Sequence, residues 1–133
     1  MRKVFVNGSF DILHLGHLAL LKFARSQGDW LLVGIDSDSR IKQLKGADRP
    51  VNTEIERRTM LEAIKYVDQV AIFNTDQELC DLIKSCDIMI KGSDYFGKPI
   101  VGGNLVPMIF FERINEYSTT KKIQDINNRR FVH

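Results

Sequence analysis

Apolar positions along the chain fall into short, β-branched-rich runs separated by longer stretches with helical spacing. The runs at residues 3–7, 30–35, 69–73, 88–91 and 108–112 have the length and composition of strands buried on both faces. After the first run, Leu18, Leu20, Leu21, Phe23 and Ala24 form one apolar helical face, which gives way to Ser26-Gln27-Gly28, where glycine suits a helix C-terminus. Pro50 ends a polar loop, and Thr53 with Glu56 forms a capping-box pattern before a helix carrying Met60, Leu61 and Ile64. A further helix is expected over residues 77–85, and a last one from Ser118 or Thr119 through Ile123 and Ile126 toward Arg129. Strands alternating with helices mean βαβ units. The fold class expected is α/β: a single doubly wound, five-stranded parallel sheet in the order 3-2-1-4-5, Rossmann-like, with right-handed helical crossovers on both faces. Residues 1–133 are expected to form one domain.

That strand order has a functional consequence. Strands one and four lie adjacent where the winding reverses, so the loops that follow them flank one crevice. Those loops are residues 8–17 and Lys91-Gly92-Ser93-Asp94-Tyr95, both glycine-bearing. The segment 97–107, with Gly102-Gly103-Asn104 and two prolines, reads as an exposed loop, either a mobile lid or a partner surface.

Composition narrows the partners more than the fold. The 133 residues are 44% hydrophobic and 27% charged with a net charge of +2, and no basic stripe interleaved with aromatics occurs, so a small anion is expected as ligand and nucleic acid is not. No apolar run approaches the ~20 residues that span a bilayer, so no membrane partner is expected. Met1-Arg2-Lys3 leads straight into a strand without the pattern of a secretory signal, which gives a cytoplasmic expectation. Cys80 and Cys86 are too few for a disulfide framework and read as small buried thiols. Two histidines and terminal His133, with no Cys-x-x-Cys spacing, do not make a structural metal site.

The sharpest chemistry lies in Gly8-Ser9-Phe10-Asp11-Ile12-Leu13-His14-Leu15-Gly16-His17, placed at a strand-to-helix junction. A helix N-terminus offers unpaired N–H groups and partial positive charge, so the junction can hold phosphate. His14 and His17, spaced i, i+3, can face one pocket, and Gly16 lets a phosphate approach the backbone. Asp11 is read as an Asx turn or helix cap slightly ahead of a ligand contact. Ser118-Thr119-Thr120 is the second cluster: one hydroxyl suffices to cap a helix, so three in a row, followed by Lys121 and preceded by Arg113, point to a ligand.

Gly8-Ser9-Phe10-Asp11 with His14-Leu15-Gly16-His17, Arg113 and Ser118-Thr119-Thr120 together resemble the cytidylyltransferase-like nucleotidyltransferase superfamily. The resemblance implies an enzyme that moves a nucleoside monophosphate from a nucleoside triphosphate to a phosphorylated sugar or polyol, releasing pyrophosphate. It implies catalytic roles for His14, His17, Lys45 and Arg113, with His17 at the charge developing on the α-phosphate. It places the nucleotide on Gly8, Ser9, Phe10, Asp11, Gly16, Lys91, Gly92, Asp94, Ser118, Thr119 and Thr120, and the acceptor substrate on Arg57 and Asp36. Lys45 is placed in the loop 44–49, with Lys42 as its competitor; Arg58 competes with Arg57, and since consecutive helix positions point some 100° apart only one of these two can face the crevice. Mg²⁺ is implied as cofactor, held by phosphate oxygens and water, and a homodimer as the assembly.

Two subfamilies are similar to different parts of the chain. Arg49-Pro50-Val51-Asn52, Val67-Asp68-Gln69-Val70, Lys91-Gly92-Ser93-Asp94-Tyr95 and Ile100-Val101-Gly102-Gly103 resemble adenylyltransferases that activate heptose 1-phosphate, which implies ATP and is the preferred reading. Arg113 five residues before Ser118 resembles the signature of glycerol-3-phosphate cytidylyltransferase, which implies CTP, with Ile114 and Glu116 departing from it. A non-catalytic nucleotide-binding module is the third alternative, and the intact histidine pair argues against it.

Overall fold

A computed structural model describes residues 1–112 of the chain. Within them the elements run β1 (Lys3–Gly8), α1 (Leu15–Ser26), β2 (Trp30–Asp36), α2 (Asp38–Lys45), α3 (Glu54–Glu62), β3 (Gln69–Phe73), α4 (Asp76–Lys84), β4 (Ile88–Gly92) and β5 (Met108–Phe111). The five strands form one parallel sheet in the order β3-β2-β1-β4-β5, the order expected from the alternation.

Alternation of side chains along each strand divides the core in two. Val4, Val6, Leu31, Val33, Ile35, Ile88 and Ile90 pack on one face against Leu21 and Ala24 of α1 and Leu61 of α3. Phe5, Leu32, Phe73 and Met89 pack on the other against Leu79 and Ile83 of α4. Helices therefore cover both faces of the central strands β1, β2 and β4, which read as continuous apolar runs because neither face there meets water.

Charged groups do different work at the two ends of the strands. At the strand starts Asp29, Asp87 and Asp68 accept the backbone N–H groups of Arg2, Lys3 and Leu31 at 2.7, 2.8 and 2.8 Å. At the strand ends the cations Lys45, Arg49 and Lys91 gather around a cavity. The carboxyl ends of the strands are the usual binding edge of such a sheet.

One helix goes unannounced, and two expectations need correction. Residues 38–45 form α2, which periodicity did not announce because Ile41 is its one buried residue. The connection from β4 to β5 is not a helix: after a 3-10 turn at Ser93–Tyr95 it continues in turns to Pro107. Nor is segment 97–107 simply an exposed loop, since Ile100 and Val106 pack on the α4 face of the core. A Cβ on Gly102, at φ 70°, would stand 2.6 Å from Ile83 Cδ1, so this turn seats against α4 only as glycine. The expected helix beyond Ser118 lies outside the described residues. No helix among the described residues is long and apolar enough to cross a membrane.

Candidate active site

The chain leaves β1 at Gly8 and turns sharply before α1. Phe10 takes φ 48°, an unusual conformation for a residue with a side chain, and its buried ring lies 5.1 Å from that of His17, centroid to centroid. A Cβ on Gly8 would stand 3.1 Å from that ring, so glycine admits the fold-back of Phe10. The cap of α1 is His14, not Asp11. Its Nδ1 accepts the N–H of Gly16 at 3.1 Å, and the Nδ1 of His17 accepts the N–H of His14 at 3.3 Å, so the pair forms a reciprocal capping box built from imidazoles.

This capping fixes the chemistry of both rings. A ring nitrogen that accepts a hydrogen bond carries no proton, so each neutral imidazole keeps its proton on Nε2 and presents an N–H donor there. The rings stack at 3.8 Å between centroids, 21° from parallel, and both are buried. The helix start thus combines oriented donors with the positive end of a dipole.

Asp11 and Arg57 are structural members rather than ligand contacts. The buried Asp11 carboxylate accepts the N–H groups of Asn52 and Val51 at 2.8 and 2.9 Å, while the Asn52 side chain donates to the Asp11 carbonyl at 2.6 Å. Arg57, 1% exposed, donates to the carbonyls of Ser9, Asp36 and Asn52 and to the Asp38 carboxylate, at 2.7–3.0 Å. These contacts tie the ends of β1 and β2 to the loop before α3. Both residues spend their hydrogen-bonding capacity inside the protein, and neither lines the cavity at the strand ends. Arg58, the alternative to Arg57, is exposed beside Glu62.

That cavity, about 420 Å³, opens between the ends of β1, β2, β4 and β5. Gly8, Ser9, Phe10, Gly16 and His17 line it from the first turn; Lys91 and Gly92 from β4; Asp36 from β2; and Lys45 from α2. His14 stacks behind His17 rather than lining the wall, and Asp94 is exposed on the 3-10 turn, where Tyr95 lines the cavity instead. Lys45 belongs to the last turn of α2 and not to a loop: Gly46, at φ 108°, ends that helix, and Lys45 Nζ reaches Ser9 Oγ at 3.3 Å. Its competitor Lys42 is exposed away from the cavity.

Lys91 is buried, whereas Lys45 is more open to solvent and stands beside the cation Arg49. Burial, reinforced by the neighbouring charge of Arg49, pulls Lys45 below the ordinary lysine range. Burial lowers Lys91 more strongly, to about 8, and its ammonium lies 4.4 Å from the centroid of the Tyr95 ring. No described carboxylate lies within salt-bridge distance of Lys91. Asp36 is the carboxylate on the wall, with Oδ1 paired to Arg40 at 2.9 Å. Among the described residues no group of three or more potential metal ligands occurs.

Arg113, Ser118, Thr119 and Thr120 lie outside the described residues. The cavity also holds residues to which motif reading gave no ligand role, among them Asn7, Arg49, Tyr95 and Phe111. A signal for Arg49 was available in its position after Lys45 and Gly46, within a loop already flagged by one cation.

Comparison with known proteins agrees with this geometry. The family model described as cytidylyltransferase-like matches residues 5–125. A bifunctional protein HldE from Campylobacter fetus is 46% identical over 126 residues, covering 92% of this chain, and one from Campylobacter jejuni is 45% identical over 130 residues, covering 96%. The chain spans only 27–28% of the length of these relatives. The crystal structure of a lipopolysaccharide core biosynthesis protein from Thermoplasma volcanium superposes with a TM-score of 0.72 at 25% identity, covering 86% of this chain and 98% of that one. A bifunctional NMN adenylyltransferase/ADP ribose pyrophosphatase from Francisella tularensis shares the fold, with a TM-score of 0.63 at 18% identity over 96% of this chain and 42% of that one. With nearly the whole chain matched and the histidine turn seated at the winding reversal, the chain belongs to the cytidylyltransferase-like family of nucleotidyltransferases.

Proposed function

We propose that this domain is a sugar-phosphate adenylyltransferase, taking ATP and a heptose 1-phosphate and releasing pyrophosphate. The observation that carries the reading is the stacked, reciprocally capped pair His14 and His17, with His17 opening into a cavity that also holds Lys45 and Lys91. The preference for a sugar phosphate and ATP rests on the Lys91–Tyr95 and Arg49–Asn52 segments and on similarity to bifunctional HldE proteins.

An oxygen of the acceptor phosphate forms a bond to the α-phosphorus as the bond from that phosphorus to pyrophosphate breaks. The electron pair leaves with pyrophosphate, and no protein nucleophile is needed. Nucleotidyl transfer asks a protein chiefly for alignment and charge stabilisation. His17 donates from Nε2 to the α-phosphate, the positive end of the α1 dipole favours the same phosphate, and His14 keeps His17 oriented. Lys45 and Lys91 neutralise phosphate charge from opposite sides of β1. Arg113 and Ser118-Thr119-Thr120 join the triphosphate in this reading. Mg²⁺ would enter with the triphosphate, near Asp36, and neutralise its charge further.

The test is incubation with Mg²⁺ and either ATP or CTP, crossed with heptose 1-phosphate, other sugar phosphates and glycerol 3-phosphate, reading pyrophosphate release. Release with ATP and heptose 1-phosphate is expected. Release only with CTP and glycerol 3-phosphate would transfer the assignment to a cytidylyltransferase, and silence with every pair would leave a nucleotide-binding module. A homodimer is part of the proposal, and light scattering at twice the monomer mass is its expected signature.

A further inference from the structure

We infer that Arg49, held in aim by Asp11, grips a substrate phosphate through its guanidinium fork. The inference rests on the reading above only for the choice of substrates.

Arg49 lines the cavity beside Lys45, in the connection between α2 and α3. Its side-chain contact is weak and partial: Nε lies 3.4 Å from Asp11 Oδ2, and its terminal nitrogens make no hydrogen bond with a described residue. The Asp11 carboxylate is meanwhile engaged by shorter bonds to two backbone N–H groups, at 2.8 and 2.9 Å. Asp11 therefore fixes the loop first and orients Arg49 second. An arginine used for structure looks different in this same protein, for Arg57 places all three guanidinium nitrogens on internal acceptors.

The neighbourhood gives the fork its purpose. Arg49 and Lys45 are close enough for the arginine to depress the lysine, a repulsion that costs stability in the absence of an anion. A phosphate between them reverses the sign of that interaction. Guanidinium presents two parallel donors to two phosphate oxygens, which an ammonium cannot do. Arg49 is thus a phosphate contact, and Asp11 a positioning residue that acts through it.

Calorimetric titration of the wild type, Arg49→Met and Arg49→Lys with ATP and, separately, with heptose 1-phosphate tests this without turnover. The affinity for at least one of the two is expected to fall by ~10-fold or more in Arg49→Met, the scale of one charge-assisted hydrogen bond. Arg49→Lys should recover only part of the loss. Weakening with ATP assigns the fork to the triphosphate, and weakening with heptose 1-phosphate to the acceptor. Unchanged affinities for both ligands, or full recovery in Arg49→Lys, would overturn the fork, as would a wild type that binds neither ligand. A wild type that binds both, depends on Arg49 and releases no pyrophosphate keeps this inference while removing the catalytic one. Melting temperatures within a few degrees of wild type show that each variant is folded.

Discussion

Arg57 on α3 and Lys91 at the end of β4 are both buried cations in one small domain, and their surroundings differ in kind. Arg57 donates to three carbonyls and a carboxylate, so its charge is spent on holding the ends of β1 and β2 against the loop before α3. Lys91 has an aromatic face and no described carboxylate within salt-bridge distance, and burial lowers it to about 8. Burial alone therefore says little about function. What separates a structural charge from a ligand-facing one is whether its partners are inside the protein.

The comparison breaks most directly at Arg57. Arg57→Ala should cost about 3–5 kcal/mol, because it removes a buried side chain and leaves three part-buried carbonyls and a carboxylate without their donor. Urea unfolding followed by circular dichroism measures this, and a loss below about 1 kcal/mol would return Arg57 to the candidate ligand residues. His17→Ala comes next and should act mainly on turnover, lowering kcat by ~10²-fold as expected for one preorganised donor at developing charge. It should also cost about 1 kcal/mol of stability, since the same side chain caps His14 N–H. An Ala variant with wild-type kcat would remove His17 from the chemistry.

The contrast also explains which parts of the molecule could be read in advance. All five strands and their order were legible because strands buried on both faces leave uninterrupted apolar runs. The histidine turn was legible because its glycines and imidazoles are local in sequence. By contrast, α2 was hidden, because with Ile41 as its one buried residue it has no apolar stripe. Arg57 was located correctly as the inward member of the Arg57–Arg58 pair but given the wrong partners, since Ser9 and Asp36 lie 48 and 21 residues away and meet it only through the sheet. Asp11 was read first as structural, which its contacts bear out, but as a local cap; the N–H groups it accepts, from Val51 and Asn52, are 40 and 41 residues distant. Residue type announces that a charge needs partners, whereas topology decides which ones it finds.

Lys91→Met sharpens the comparison by reversing the sign of the stability effect. Removing a buried, desolvated charge of similar shape should stabilise the ligand-free domain by about 1–2 kcal/mol at pH 7 while weakening ligand binding. The pH dependence follows from the lowered value. Between about 8 and the ordinary 10.5 the unfolded chain holds the Lys91 proton and the folded chain does not, so wild-type stability rises with pH through that window relative to the variant. The advantage of Lys91→Met should therefore be full below pH 8 and shrink above it. Denaturation at pH 7 and pH 9.5 checks this, and an equal difference at both would show that desolvation of Lys91 is not its source.

The smallest effect is expected one residue from the largest. Arg58 follows Arg57 on α3, but one step along a helix rotates a side chain by about 100°, carrying Arg58 to the surface beside Glu62 at 3.6 Å. Solvent screens such a pair, and exposed i, i+4 contacts contribute a few tenths of a kcal/mol at most. Arg58→Ala should leave urea unfolding within about 0.5 kcal/mol of wild type and leave both substrate affinities unchanged. A loss matching that of Arg57→Ala would mean that the charge of the helix as a whole, not the hydrogen-bonding of one inward arginine, holds the strand ends in place.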